Sequence, residues 1–214
     1  VFANTTAVTD FLPDILPTYL AAHPKINIDL QEKPNGEIAR GVRESRADIG
    51  IVAGQVDTTG LTATHFNTDR LVLVVPRGHA LARRKAVAFA ETLDEDHVGM
   101  HASSTLHAYL TDIAQRLDRP LKLRIQLANF DALCRMVGAG VGVGVVPETT
   151  ARRNLAAMAI RQVELTDAWR WRERFVLVRE GEAQPEYARA LIDVVCAHYD
   201  TKSNELDTSH ARRA

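Results

Sequence analysis

The sequence predicts an α/β chain made of two similar modules. Apolar runs of period two alternate with runs of period 3.6 along the whole chain. Residues 1–52 follow the order strand, helix, strand, helix, strand, the rhythm of right-handed βαβ units on a parallel sheet. Each module also has a cluster of small polar residues where a strand passes into a helix, at 4–6 and again at 101–105.

Residues 1–4 read as a strand, and Asn4, Thr5 and Thr6 carry the short side chains that cap a helix start. Phe11, Leu12, Ile15, Leu16, Tyr19 and Leu20 keep the helical period. A break or restart is expected near Pro13, because proline removes an amide donor and crowds the preceding turn, and the helix should stop before Pro24. Ile26, Ile28 and Leu30 alternate as a strand, residues 35–45 form a short helix with Ile38 and Val42 inward, and residues 48–52 form a second apolar strand. LVLVVP, residues 71–76, is a further apolar strand, followed by the polar connection RGHALARRKAV, read as a domain crossing.

The second module opens on a strand at 98–100, followed by a helix lined by Leu106, Leu110, Ile113 and Leu117. Residues 121–128 alternate as a strand whose carboxyl end is Asn129 and Phe130. The segment FDALCRMVGAGVGVGVVP then changes period. Leu133, Met136 and Val137 form one helical stripe, expected to end in a left-handed glycine at Gly138. From Val141 to Val146 valine and glycine alternate as a short buried strand stopped by Pro147. A strand with one bare face is weak unless something approaches closely. Either a ligand or crossing segment, or tight packing of strand on helix, would account for it. A nucleotide loop does not fit, since GxGxxG and GxxxxGK[ST] are both absent and the order runs from helix to strand. Residues 148–158 read as a helix, 160–165 and 175–178 as strands, and Tyr187, Leu191, Val194, Val195 and His198 as one face of a final helix. The chain after Tyr199 has no period and reads as a mobile tail.

Composition narrows the function. The 214 residues carry 26 Lys plus Arg against 27 Asp plus Glu, a formal net charge of −1, with no basic surplus to meet nucleic acid. Cys134 and Cys196 each fall within an apolar helical pattern, as buried thiols of a reducing compartment do. No apolar run approaches the ~20 residues of a membrane-spanning helix. The chain opens on Val-Phe-Ala without a methionine and reads as cut from something longer.

Catalytic and metal motifs are weak. His97 and His101 have metal-like spacing, but the residues between them read as strand and the glutamate of HExxH is missing. Ser103 or Ser104 with His101 or His107 and Asp112 offers the side-chain types of acyl transfer without GxSxG. Thr5, Thr6, Ser103 and Ser104 serve equally as helix caps. Arg83, Arg84 and Lys85 read as solvated surface, while Arg124 and Arg135 have either an effector carboxylate or acidic neighbours as partners.

The succession FLPDILPTYLAAHP, INIDLQEKP, ADIGIV, LVLVVPRGHALA, ETLDEDHVGM and MVGAGVGVGVVP resembles the effector-binding domain of the LysR-type transcriptional regulators. The resemblance implies two Rossmann-like subdomains joined by two crossover segments, a type 2 periplasmic-binding-protein-like fold with a ligand cleft between them. It implies subdomain I at 1–76 plus 171–200, subdomain II at 77–170, a mobile tail at 201–214, and an N-terminal winged helix-turn-helix DNA-binding domain absent from this chain. Effector contacts carried over from the family are Asn4, Thr5 and Thr6 at the first helix start and His101, Ser103, Ser104 and Thr105 at the second. Ala53, Asn129 and Phe130 at strand ends, Val143, Gly144 and Val145 on the glycine strand, and Phe66 complete the set.

Helix N-termini favour anions, so a carboxylate or other anion is the expected effector. The resemblance further implies a cytoplasmic homodimer, tetrameric at full length, that meets DNA only through the missing domain. No catalytic residue, cofactor, metal or membrane partner is expected. Ligand-dependent lobe movement, with hinges among Gly54, Pro76, Gly78 and 165–172, would control DNA binding and transcription. The alternative is a solute-binding receptor of a transport system with the same two-lobed fold.

Overall fold

The computed structural model describes the backbone of residues 1–211 and the side chains of residues 1–199. The chain forms two compact units, Val1–Thr68 with Glu173–Ala214, and Asp69–Arg172.

In the first unit, β1 (Phe2–Ala3) passes into a helix whose opening turn, Ala7–Phe11, is π-helical, closed by the Leu12 N–H on the Ala7 carbonyl. α1 (Leu12–Ala22) continues it. The break expected near Pro13 is therefore a widened turn: in an α-helix the Pro13 ring would crowd the carbonyl of Thr9, and an i→i+5 turn opens that space. β2 (Gln31–Glu32) is short. Ile26, Ile28 and Leu30, expected as a strand, instead pack their side chains against the core that contains Ile15 and Tyr19. α2 (Asn35–Arg43) buries Ile38 and Val42, and β3 (Gly50–Ala53) is buried throughout. β1 lies parallel to both β2 and β3.

β4 (Leu61–Pro76) carries the chain from the first unit into the second. It starts well before the apolar LVLVVP run, at a point that periodicity does not mark because residues 62–65 are exposed and show no apolar alternation. The second unit then contains β5 (Ala86–Val87), β6 (His97–Met100), α3 (Thr105–Arg116), β7 (Leu123–Leu127), α4 (Phe130–Gly138), β8 (Gly144–Pro147), α5 (Glu148–Leu155) and β9 (Ile160–Leu165). β6 and β7 pair in parallel, β4 is antiparallel to β8 and β9, and β9 is parallel to β5. Residues 71–75 are the spine of this unit's core, which also takes in Phe89, Phe130 and Leu133. Gly138 remains helical. The left-handed residue expected there is Gly140, at φ +81°, because Ala139 still holds a helical turn with φ −80°.

β10 (Trp171–Arg179) returns to the first unit, where it pairs antiparallel with β3 from Arg174 opposite Ala53 to Leu177 opposite Gly50. α6 (Glu186–Ala211) follows, and the Tyr19 hydroxyl donates to the Tyr187 carbonyl at 2.8 Å, tying α1 to it. The stretch expected as a tail, 201–214, continues the α6 backbone to Ala211, and its last residues, 212–214, lie outside the described residues.

Candidate functional site

In the first unit the helix start is a hydrogen-bonded node at the carboxyl ends of two parallel strands. The Asn4 carboxamide oxygen accepts from the Ala7 N–H at 3.0 Å, and its NH2 donates to the Asn35 oxygen at 3.4 Å. Asn35 in turn donates to the Ala53 carbonyl at 2.7 Å. The Thr5 hydroxyl donates to a Glu32 carboxylate oxygen at 2.6 Å, while the Thr5 carbonyl accepts from the Thr9 hydroxyl at 2.8 Å. Asn4, Thr5 and Thr6 are all buried. Glu32 and Asn35 had no signal in the sequence that tied them to this node. Their partners lie 27 and 31 residues away in the chain.

Phe66 belongs to a different cluster. Its ring packs 5.6 Å from both Phe11 and Tyr199. The buried guanidinium of Arg174 lies 4.9 Å over Phe11 and donates to the Tyr199 hydroxyl at 3.2 Å. Burial of such a charge is tolerable only with partners of this kind.

In the second unit the Ser104 hydroxyl caps α3 by accepting from the Leu106 N–H at 3.2 Å. His101 Nδ1 lies 2.8 Å from the exposed Ser103 hydroxyl, and the His101 N–H donates to the Leu127 carbonyl. Thr105 is the half-buried first residue of α3. Asn129 caps α4 by accepting from the Ala132 N–H at 2.8 Å, so it stands exposed at the end of β7, and Phe130 turns into the core. The first turn of α3 also carries His107, whose pKa is lowered by burial and then by the His101 imidazole.

The glycine strand is explained by packing. Val143 and Val145 are buried, and the Val143 carbonyl accepts from the Val98 N–H at 2.8 Å. A Cβ at Gly144 would meet Leu133 of α4 at 2.7 Å and the Val98 oxygen at 3.1 Å, and one at Gly142 would collide with the Asp96 carbonyl. The crossing strand and the helix occupy the bare face.

Other chemistry is directed elsewhere. Arg124 donates to Asp96 at 3.3 Å and to the Val141 carbonyl, which resolves its partner in favour of an acidic neighbour. Asp112 pairs with Arg116 at 2.7 Å, away from Ser103 and His101. Cys134 is buried and its thiol is pushed up to about 12, chiefly by burial, so it is no nucleophile at neutral pH. His97, buried, hydrogen-bonds to the Thr92 carbonyl at 2.9 Å. Among the described residues there is no group of three potential metal ligands, and no helix is long and apolar enough to cross a membrane.

Residues 1–200 match the family model described as the LysR substrate binding domain. A probable RuBisCO transcriptional regulator of Trieres chinensis is 24% identical over 175 residues, covering 78% of this chain and 57% of that protein. The chain spans little more than half the length of the curated relatives it matches. The regulatory domain of Synechocystis PCC6803 CcmR in complex with 2-PG superposes with a TM-score of 0.79 at 19% identity, covering 92% of this chain and 94% of that one. The BenM effector binding domain with benzoate gives 0.76 at 19% identity, with 94% and 91% covered. The fold is that of these effector-binding domains, the periplasmic-binding-protein-like fold.

Proposed function

The chain belongs to the LysR substrate binding domain family, and on that premise we propose that it binds a small-molecule effector on behalf of a longer, cytoplasmic transcriptional regulator. The observation that carries this reading is the pair of polar helix starts, at Asn4 and at Ser104, each set at the end of a parallel strand. Transcriptional regulators among its relatives favour this reading over a transport receptor and over an enzyme.

The effector is a carboxylate or other small anion. Its candidate contacts are Asn4, Thr5, Thr6 and the Ala53 strand end in the first unit, and His101, Ser103, Ser104, Thr105 and Asn129 in the second. Phe66, Phe130 and residues 143–145 support these contacts from the cores. An anion suits the unpaired amides and partial positive charge of a helix N-terminus. Binding biases a conformational equilibrium by the effector's differential affinity for its two states. In the full-length protein, a homodimer or tetramer, that bias reaches a DNA-binding domain beyond this chain.

Thermal unfolding against a panel of carboxylates (benzoate among them), 2-PG, amino acids and neutral sugars tests the reading. A ligand at about 100 times its Kd adds roughly 2.7 kcal/mol and raises Tm by several degrees. A shift from carboxylates is expected. A shift from neutral sugars alone would overturn the anion assignment, and silence across the panel would count against effector binding by this chain.

A further inference from the structure

Gln126 lies on β7 beside the first turn of α3, and its carboxamide nitrogen has two neighbours. Nε2 is 3.2 Å from the Met100 carbonyl oxygen and 3.4 Å from Nδ1 of His107. A backbone carbonyl only accepts, so the end of the carboxamide turned toward Met100 must be the NH2 group, which fixes the orientation of the amide. The NH2 group only donates, so Nδ1 of His107 is an acceptor and the ring proton sits on Nε2.

The surroundings reinforce a neutral ring. Burial disfavours the imidazolium, and the imidazole of His101, from the turn that leads into α3, lowers the His107 pKa further. From β6, His97 borders the same small apolar pocket as His107, and its own burial and its bond to Thr92 keep it out of this exchange. From β7 the facing group is the uncharged Gln126.

The geometry points to Gln126 as a positioning residue that sets His107 in the Nε2–H tautomer, giving α3's first turn a neutral imidazole donor for an anionic effector. The inference rests on the proposed function, in which the start of α3 meets the effector. A neutral donor differs in kind from lysine or arginine. It rewards an acceptor in the right direction without attracting every anion, so it selects a carboxylate by geometry.

The first test needs no ligand. Long-range proton–nitrogen NMR spectra of the chain at about pH 8, where histidine is neutral, should show His107 as the Nε2–H tautomer. Gln126→Glu should reverse it to Nδ1–H, because a carboxylate can only accept. A predominantly Nδ1–H or evenly mixed His107 in the parent chain, or an unchanged tautomer in Gln126→Glu, overturns the positioning role. The second test titrates sodium benzoate, then sodium acetate as the minimal carboxylate, while following the His107 Nε2–H resonance. It should move in the parent chain, and Gln126→Glu should weaken binding roughly tenfold. His107→Gln, which keeps an N–H donor, should retain more affinity than His107→Phe. Carboxylate binding that leaves the resonance and the Gln126→Glu affinity unchanged overturns this inference while the proposed function stands. A correct tautomer whose resonance neither probe moves overturns the donor role, and the thermal panel decides the proposed function separately.

Discussion

Cδ2 of Leu133 occupies the space that a Cβ at Gly144 would need, 2.7 Å from it. At Gly142 the intruding atom is the backbone oxygen of Asp96, which itself accepts from the Val143 N–H at 2.9 Å. Leu133 can change rotamer, whereas the Asp96 carbonyl cannot move without breaking that bond. Gly144→Ala is therefore expected to cost about 1–3 kcal/mol, the usual penalty of overpacking, and Gly142→Ala more. Urea unfolding midpoints of the two variants check the order.

Pro13 gives a second test. The π-helical turn at Ala7–Phe11 relieves the crowding of Thr9 by the Pro13 ring. Pro13→Ala restores an amide donor and removes the need for the wide turn. The variant should unfold at an equal or higher Tm, while effector affinity falls because the turn bearing Thr5 and Thr6 rotates. A Pro13→Ala chain that binds effector as the parent does would separate the π turn from function.

His97 predicts a pH dependence. Burial, its largest influence, lowers its pKa below the ordinary value of 6.5, against opposing effects of the Thr92 carbonyl, Glu95 and Asp96. The unfolded chain therefore takes up the proton first. The stability this histidine contributes is complete above about pH 6.5 and is lost as pH falls toward its folded pKa. His97→Leu should flatten that part of the curve of unfolding free energy against pH.

The carboxylate of Glu148 gathers three side chains: Arg70, whose Nε donates at 3.2 Å, Arg152 at 3.1 Å and Gln162 at 3.0 Å. Burial alone would raise its pKa and is the largest single influence, but the hydrogen bonds and charges of these partners together hold it below the usual range. Its contribution is present above about pH 4.5 and lost as pH falls below it. Arg70→Met should cost about 1–2 kcal/mol at neutral pH, a figure discounted for partial exposure of both groups. Paired unfolding curves at neutral pH and at about pH 4 should show the difference shrinking in acid.

What the sequence reveals depends on how local each cause is. Ile38 and Val42 on α2, the Leu106 and Leu110 stripe on α3, and the strand from Ile160 to Leu165 follow from periodicity alone, since each is set by neighbours in the chain. The opening stretch of β4, residues 62–65, has no such pattern, because these residues are exposed on both faces. The left-handed position moved from Gly138 to Gly140 because both are glycines and only the packing of α4 decides where its last turn ends.

The candidate site divides along the same line. The caps at Asn4 and Ser104 were visible as small polar residues ahead of helical patterns, and each makes its capping bond, whereas Asn129, read only as a strand end, also turns out to cap α4. Glu32 behind Thr5, Asn35 behind Asn4 and Gln126 behind His107 were not visible, since each is joined to its partner only by the fold.

The central claim is that the polar helix starts carry the effector contacts, and affinity measured across a short mutant series tests it most directly. With the carboxylate that most raises Tm, affinity is measured for the parent chain, Thr5→Ala, Ser103→Ala and the pair together. Each single variant should lose roughly five- to tenfold, as removal of one hydrogen bond to a charged group does. The double variant should fall further, by at least their product. Affinity untouched by either single substitution would contradict the account.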